Sequence, residues 1–200
     1  TIALNNVIIS KDINAHLMTV TGATWGSQGR TFDGTSDKII PTFNAVLRPS
    51  VALTIFAWVN LTSIAAGGGV RSIYSARTGG NSFQLLVLGS GYGGNSEKIY
   101  FSKWISAVET TNIGSVVPTG TNVFLAFTYD SVGQVAQLYR NGIAETTSGT
   151  ASAAIDTNAT GVNIGESSWH GLLSEVGIYN RALTAQEITQ IYNATKWRYT

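Results

Sequence analysis

Along most of the chain, apolar residues recur at every second position in short bursts, and each burst ends in turn chemistry. In "LTIFAWVN" (53 to 60), Ile55, Ala57 and Val59 fall on one side of an extended strand and Thr54, Phe56 and Trp58 on the other. Both sides are largely apolar, as an interior strand requires. "SFQLLVLG" (82 to 89) and "KIYFSKW" (98 to 104) follow the same pattern, joined by the Gly-rich "GSGYGGN". "NVFLAFTY" (122 to 129), the turn "DSVG" and "QVAQLYR" (134 to 140) predict a hairpin. Asn141 and Gly142 then supply the two positive-φ positions of a type I′ turn, after which "IAETT" returns as a strand. Short strands at this spacing, broken by glycine and three prolines, predict an all-β sandwich of two antiparallel sheets.

The period changes near the end. Thr184 is a suitable N-cap, Glu187 completes a capping box, and Leu183 with Ile188 forms a hydrophobic staple. The spacing predicts a short helix from about 185 to 195 with Ile188, Ile191 and Tyr192 on the sandwich and Gln186, Gln190 and Asn193 in water. In the preceding "LLSEVGIYN", strict alternation puts Leu173, Glu175, Gly177 and Tyr179 on one face and Leu172, Ser174, Val176 and Ile178 on the other.

Composition narrows the partners. Two hundred residues suit one domain (1 to 200, core about 20 to 195), because sandwiches of this length commonly fold as one unit. Twelve Lys and Arg against eleven Asp and Glu leave a net charge of +1, which gives no field for a polyanion, so nucleic acid is not an expected partner. No cysteine is present, which removes disulfides, thiolate metal sites and cysteine nucleophiles. The longest apolar stretch, "VALTIFAWV" (51 to 59), is far short of the roughly 20 residues of a membrane span. The chain opens at Thr1 without an initiator Met, as expected of a processed or excised chain. Low charge, many aromatics and abundant glycine suggest an extracellular or surface setting.

Catalytic motifs are scarce. H-E-x-x-H, G-x-S-x-G and the P-loop are absent, and His16 and His170 are the two histidines. "GSGYGG" (89 to 94) fits G-x-G-x-x-G, but the strand-like "KIYFSKW" follows where phosphate binding needs a helix N-terminus.

"GRTFDGTSDKI" (29 to 39), "LTIFAWVN", "LYRNGIAE" (138 to 145) and "WHGLLSEVGIYNRALTAQEI" (169 to 188) resemble, in that order, the signature segments of laminin-G-like domains of the concanavalin-A-like lectin and glucanase superfamily. The resemblance spans roughly residues 20 to 195. It implies a jelly roll of two curved sheets with a short C-terminal helix, often binding sugar or protein, with calcium at a loop edge. The ending "YNATKWRY" also resembles the C-termini of such domains in phage and large-virus structural proteins.

Glycosidases of that superfamily need two carboxylates on one strand face, one to attack and one to protonate the leaving oxygen. An E-x-D-x-E pattern supplies them, and the matching positions here are Glu175, Gly177 and Tyr179. One carboxylate cannot fill both roles, so no catalytic residue is assigned. For calcium, Asp33 in "FDG" with Glu175 across the fold is the candidate pair, although Ser174 stands where the family often has Asp. For a ligand, Trp104 at a strand end and Tyr92 in a Gly-rich loop are the candidate stacking platforms, with Arg77, Asn81, Asn95 and His170 as loop polars around them. Trp58 and Trp169 are read as packing residues.

The residues favour a noncatalytic recognition or adhesion module, displayed on a virion or cell surface and binding glycan or protein. The alternative is a decoration or cementing module of a virus capsid or tail, which would bring virion subunits in as partners; a glycan-degrading enzyme ranks last. Oligomerisation is compatible with all three, and no cofactor is required, with calcium the one candidate.

Overall fold

Among the described residues of the computed structural model, 7–146, 149, 151, 153–166 and 169–199, fifteen strands pair into two antiparallel sheets. The eight-stranded sheet runs, in spatial order, β1 (Val7–Ile9), β2 (Leu17–Thr21), β5 (Lys38–Pro41), β14 (Gly161–Ile164), β7 (Val70–Thr78), β8 (Phe83–Leu88), β9 (Lys98–Ile105) and β10 (Val108–Val116). The seven-stranded sheet runs β13 (Ile143–Ala144), β12 (Val135–Arg140), β11 (Val123–Asp130), β6 (Ala52–Leu61), β15 (His170–Tyr179), β4 (Gly29–Asp33) and β3 (Thr24–Gly26). One short helix, α1 (Ala185–Thr195), follows the last strand. This is the jelly-roll sandwich with a C-terminal helix that the pattern predicts.

Alternation builds the main core between the sheets. Ile55, Ala57 and Val59 of β6 and Leu125, Phe127 and Tyr129 of β11 meet Phe83, Leu85, Val87, Ile99 and Phe101 from the other layer. Phe101 and Phe127 stack across the two sheets with centroids 3.8 Å apart.

The opposite side of β6 and β11 makes a second core. Trp58, Phe124, Ala126 and Tyr139 are covered by Leu183, Ile188 and Tyr199, with Phe56, Ile191 and Tyr192 at its margin. The helix turns the expected residues inward, and its capping box is complete: Thr184 accepts from the Glu187 amide while Glu187 accepts from the Thr184 amide. The Arg181 guanidinium, paired with Glu187 at 2.7 Å, and the Thr184 amide hold the Glu187 carboxyl at about 2. Trp58 stacks between Tyr192 and Tyr199 and donates its indole N–H to Thr195 Oγ1 at 2.8 Å.

Two local expectations need correction. Asn141 and Gly142 do adopt positive φ, but the returning strand β13 is two residues long, and Thr147 of "IAETT" lies outside the described residues. Along β15, strict alternation fails. Glu175 has φ of +46°, and the pairing with β6 slips between Ser174 and Gly177. This bulge inserts one extra residue, so Leu173 points into the main core together with Val176 and Ile178. Gly177 and Tyr179 fall on the outward face instead, where a side chain at 177 would strike the Phe56 ring.

Candidate functional site

The outward face of the eight-stranded sheet is ordered by its register. Because Ala76, Phe83, Leu85 and Phe101 point into the core, their strand neighbours point away from it. Three rows result. Ser72, Leu86, Tyr100 and Ile113 lie side by side across β7 to β10. Asn163, Ser75, Gln84, Ser102 and Thr111 form an unbroken polar row across five strands, β14 to β10. At strand spacing this row spans about 19 Å. The third row sets Trp104 beside Glu109, with Ser82 adjoining through the Trp104 amide and Arg77 lying over the indole at 4.1 Å.

The face has two tiers. Ser72, Ser75, Gln84, Ser102 and Asn163 are buried. Among the described residues the hydroxyls of Ser72, Ser82 and Ser102 have no hydrogen-bond partner, an unusual state for buried polar atoms. Above them stand half-buried Tyr100 and Thr111 and exposed Arg77 and Glu109. Burial pushes the Tyr100 phenol above its ordinary value, and its hydrogen bond with Thr111 offsets part of that rise. The arrangement offers aromatic surface, a cation and a carboxylate at the rim, and a floor of small polar groups.

The six candidate ligand residues separate into three places. Arg77 and Trp104 belong to this face, and Asn81 sits in the neighbouring β7–β8 turn, its carbonyl accepting from the Asn158 amide. Trp104 is 6% exposed and capped by Arg77, so it is a wall of the site and not an open platform. Tyr92 and Asn95 lie at the far end of β8 and β9, where the Tyr92 hydroxyl donates to the Gly68 carbonyl at 2.8 Å. His170 opens β15 in the other sheet, its Nδ1 2.7 Å from Ser63 Oγ. One site including all six is therefore excluded by topology. Ser72, Ser75, Gln84, Tyr100, Ser102, Thr111 and Asn163, which share this face, are not among the loop polars that the sequence singles out. Their signal was present as polar residues at alternate positions within otherwise apolar strands.

The tentative metal pair is also separated. Asp33 faces His170 across β4 and β15, and Glu175 lies five residues farther along β15, about 16 Å away. No single ion reaches both. Asp33 instead holds its own turn, accepting from the Thr35 amide at 2.8 Å, and hydrogen bonds from Thr35 keep its carboxyl below the ordinary range. Glu175 pairs with Arg198. Among the described residues no group of three or more His, Asp or Glu side chains is placed to hold a metal ion.

Glu175 is not part of the carboxylate pair that glycoside cleavage needs. Glu175 has no second acid on its strand face and is engaged by Arg198. Ser63 and His170 form a hydroxyl–imidazole contact, but among the described residues no carboxylate stands within ion-pair distance of that imidazole to orient it, Asp33 being turned to Thr35.

The profile of the concanavalin A-like lectin/glucanases superfamily matches residues 19–189, most of the chain. The chain belongs to this superfamily. It is similar in fold to several toxin domains. The binding domain of botulinum neurotoxin serotype G superposes with a TM-score of 0.75 at 12% identity, over 94% of this chain and 48% of that one. The binding domain of Paraclostridial Mosquitocidal Protein 1 gives 0.71 at 16% identity, over 94% and 52%. The botulinum serotype D ligand-binding domain, solved in complex with N-acetylneuraminic acid, gives 0.70 at 12% identity, over 94% and 48%. The chain spans about half the length of these structures. No curated protein sequence matches it. The narrower resemblance to phage and large-virus structural proteins is overturned by these matches, and the virion, phage and viral-structural assignments are withdrawn. Among the described residues no helix is long and apolar enough to cross a membrane.

Proposed function

We propose that this superfamily member is a noncatalytic carbohydrate-recognition module, acting outside the cell, whose binding surface is the outward face of the eight-stranded sheet. The observation that carries the reading is the accessible group of Tyr100, Thr111, Arg77 and Glu109 on one sheet face, standing over the buried polar row Asn163–Ser75–Gln84–Ser102. Aromatic rings pack on the C–H faces of sugars, while amides, hydroxyls and charged rims hydrogen-bond their hydroxyls. The sialic acid complex of the serotype D domain and the dependence of botulinum neurotoxin type C entry on two ganglioside molecules are in keeping with this reading, as properties of those proteins.

The test is a glycan array followed by titration calorimetry on any saccharide that binds, each run with calcium and with chelator. Tyr100→Ala and Arg77→Ala should each weaken binding roughly tenfold, about 1.4 kcal/mol, with the fold intact. Binding that survives both substitutions, or a folded sample silent against every saccharide, overturns the assignment. Loss of binding in chelator alone would place a calcium ion at the site.

A further inference from the structure

The turn between β12 and β13 carries an exposed Asn141 followed by a buried Gly142, with φ of +51° and +78°. The side-chain amide of an asparagine that precedes glycine is open to attack by the next backbone nitrogen, because glycine puts no Cβ in the way. Here the groups that would have to move are held from two sides. On the sheet side, Asn141 Oδ1 accepts from the Phe124 amide at 3.0 Å, and the Asn141 amide donates to the Phe124 carbonyl at 2.8 Å. On the other side sits α1. The Thr189 hydroxyl lies 2.8 Å from the Gly142 carbonyl and shares its proton with the Ala185 carbonyl. Tyr192 packs on Gly142 so closely that a Cβ there would lie 3.0 Å from its ring.

We propose that Asn141 is a self-modifying site guarded by helix α1: the docked helix blocks its deamidation, and each undocking opens it to conversion into aspartate or isoaspartate. In the reaction the Gly142 nitrogen gives its proton to base and bonds to Asn141 Cγ. The Cγ–Nδ2 bond breaks, and Nδ2 takes up a proton and leaves as ammonia. Water then opens the resulting succinimide. Cleavage at Cγ gives aspartate, and cleavage at the Asn141 backbone carbonyl gives isoaspartate, whose chain runs on through Cγ. Water is the one co-reactant, and nothing is oxidised or reduced. The attack needs Cγ to leave the Phe124 amide and the Gly142 nitrogen to swing onto it, while Tyr192 and Thr189 pin the Gly142 Cα and carbonyl that follow that nitrogen.

The two products act differently on the helix. Aspartate keeps an oxygen for the Phe124 amide and leaves the turn its length. Isoaspartate adds an atom to the backbone of a two-residue turn, which moves Gly142 from under Tyr192 and away from Thr189. Conversion to isoaspartate is therefore a covalent record that α1 has undocked, and it weakens redocking.

Ageing in mildly alkaline buffer, followed by peptide mass mapping, tests the guard in the wild-type protein and Thr184→Ala. Thr184 caps α1 through Glu187 and takes no part in the turn. Loss of the cap should raise conversion at Asn141 about fivefold, because it raises the undocked population by that factor. Asn95, exposed on the other sheet and followed by Ser96, is the internal reference and should not change. Equal Asn141 rates in the two proteins, each taken relative to Asn95, overturn the guard. Wild-type protein unfolded in urea keeps the test standing if Thr184→Ala does not fold: unfolding should speed Asn141 more than Asn95, and equal acceleration at the two sites overturns the guard. In aged wild type, α1 amide protection should be lower in the isoaspartate fraction than in Asn141→Asp; equal protection overturns the weakened redocking.

Discussion

The two outward faces of the sandwich are built on the same pleated backbone and have opposite characters. On the seven-stranded sheet, β6 and β11 turn out Phe56, Trp58, Phe124 and Ala126, and a helix with its tail closes over them. On the eight-stranded sheet, β7, β8 and β9 turn out Ser72, Ser75, Gln84, Ser102 and Tyr100, and no helix lies there among the described residues. Aromatic side chains at alternate positions leave surface that water disfavours and that a helix can bury. Small polar side chains at the same positions leave less apolar surface for a helix to bury. The inner alternation specifies the fold, and the outer alternation decides which sheet face a helix covers.

That contrast can be broken most strongly at its apolar side. Trp58→Ala should remove the centre of the helix-side core and cost about 3–5 kcal/mol, read as a shifted denaturant midpoint. Thr184→Ala removes one half of the capping box and should cost about 1 kcal/mol in the same measurement. Acid acts on the same helix. The Glu187 carboxyl is held at about 2, below its ordinary 4.5, so its contribution is present above pH 4.5 and is lost as pH falls through 2. Amide protection of α1 should therefore drop between pH 5 and pH 2 in the wild type and drop less in Glu187→Gln. At the polar side the effect on stability should be smallest: Arg77→Ala should move the midpoint by no more than about 0.5 kcal/mol while weakening saccharide binding. A large loss of stability from Arg77→Ala would mean that the two faces do not divide the labour in this way.

The sandwich, the NG turn and the capped helix were legible in the sequence because each depends on local rules: period two, positive φ at Asn141 and Gly142, and reciprocal caps at Thr184 and Glu187. The bulge at Glu175 was not, because a non-glycine residue gives no local sign that it will take positive φ within a strand. The same bulge makes the alternation around Glu175 misleading. The proposed binding face was hidden for another reason. Its residues are distant in sequence, and only the pairing of β14, β7, β8, β9 and β10 aligns Asn163 with Ser75, Gln84, Ser102 and Thr111. Arg77 stands out in the sequence as a polar residue beside a turn, whereas the strand interior next to it carries no comparable local mark.

The placement of the five tryptophans gives the molecule built-in optical reporters. Trp25 and Trp197 are 75% and 69% exposed, so their emission should be red-shifted and open to a soluble quencher. Trp58, Trp104 and Trp169 are buried and should emit to the blue, beyond the quencher's reach. Trp58 lies between two tyrosines that belong to the helix and its tail, and its indole N–H is tied to Thr195. Its colour and anisotropy therefore follow the docking of residues 185–199 without any attached dye.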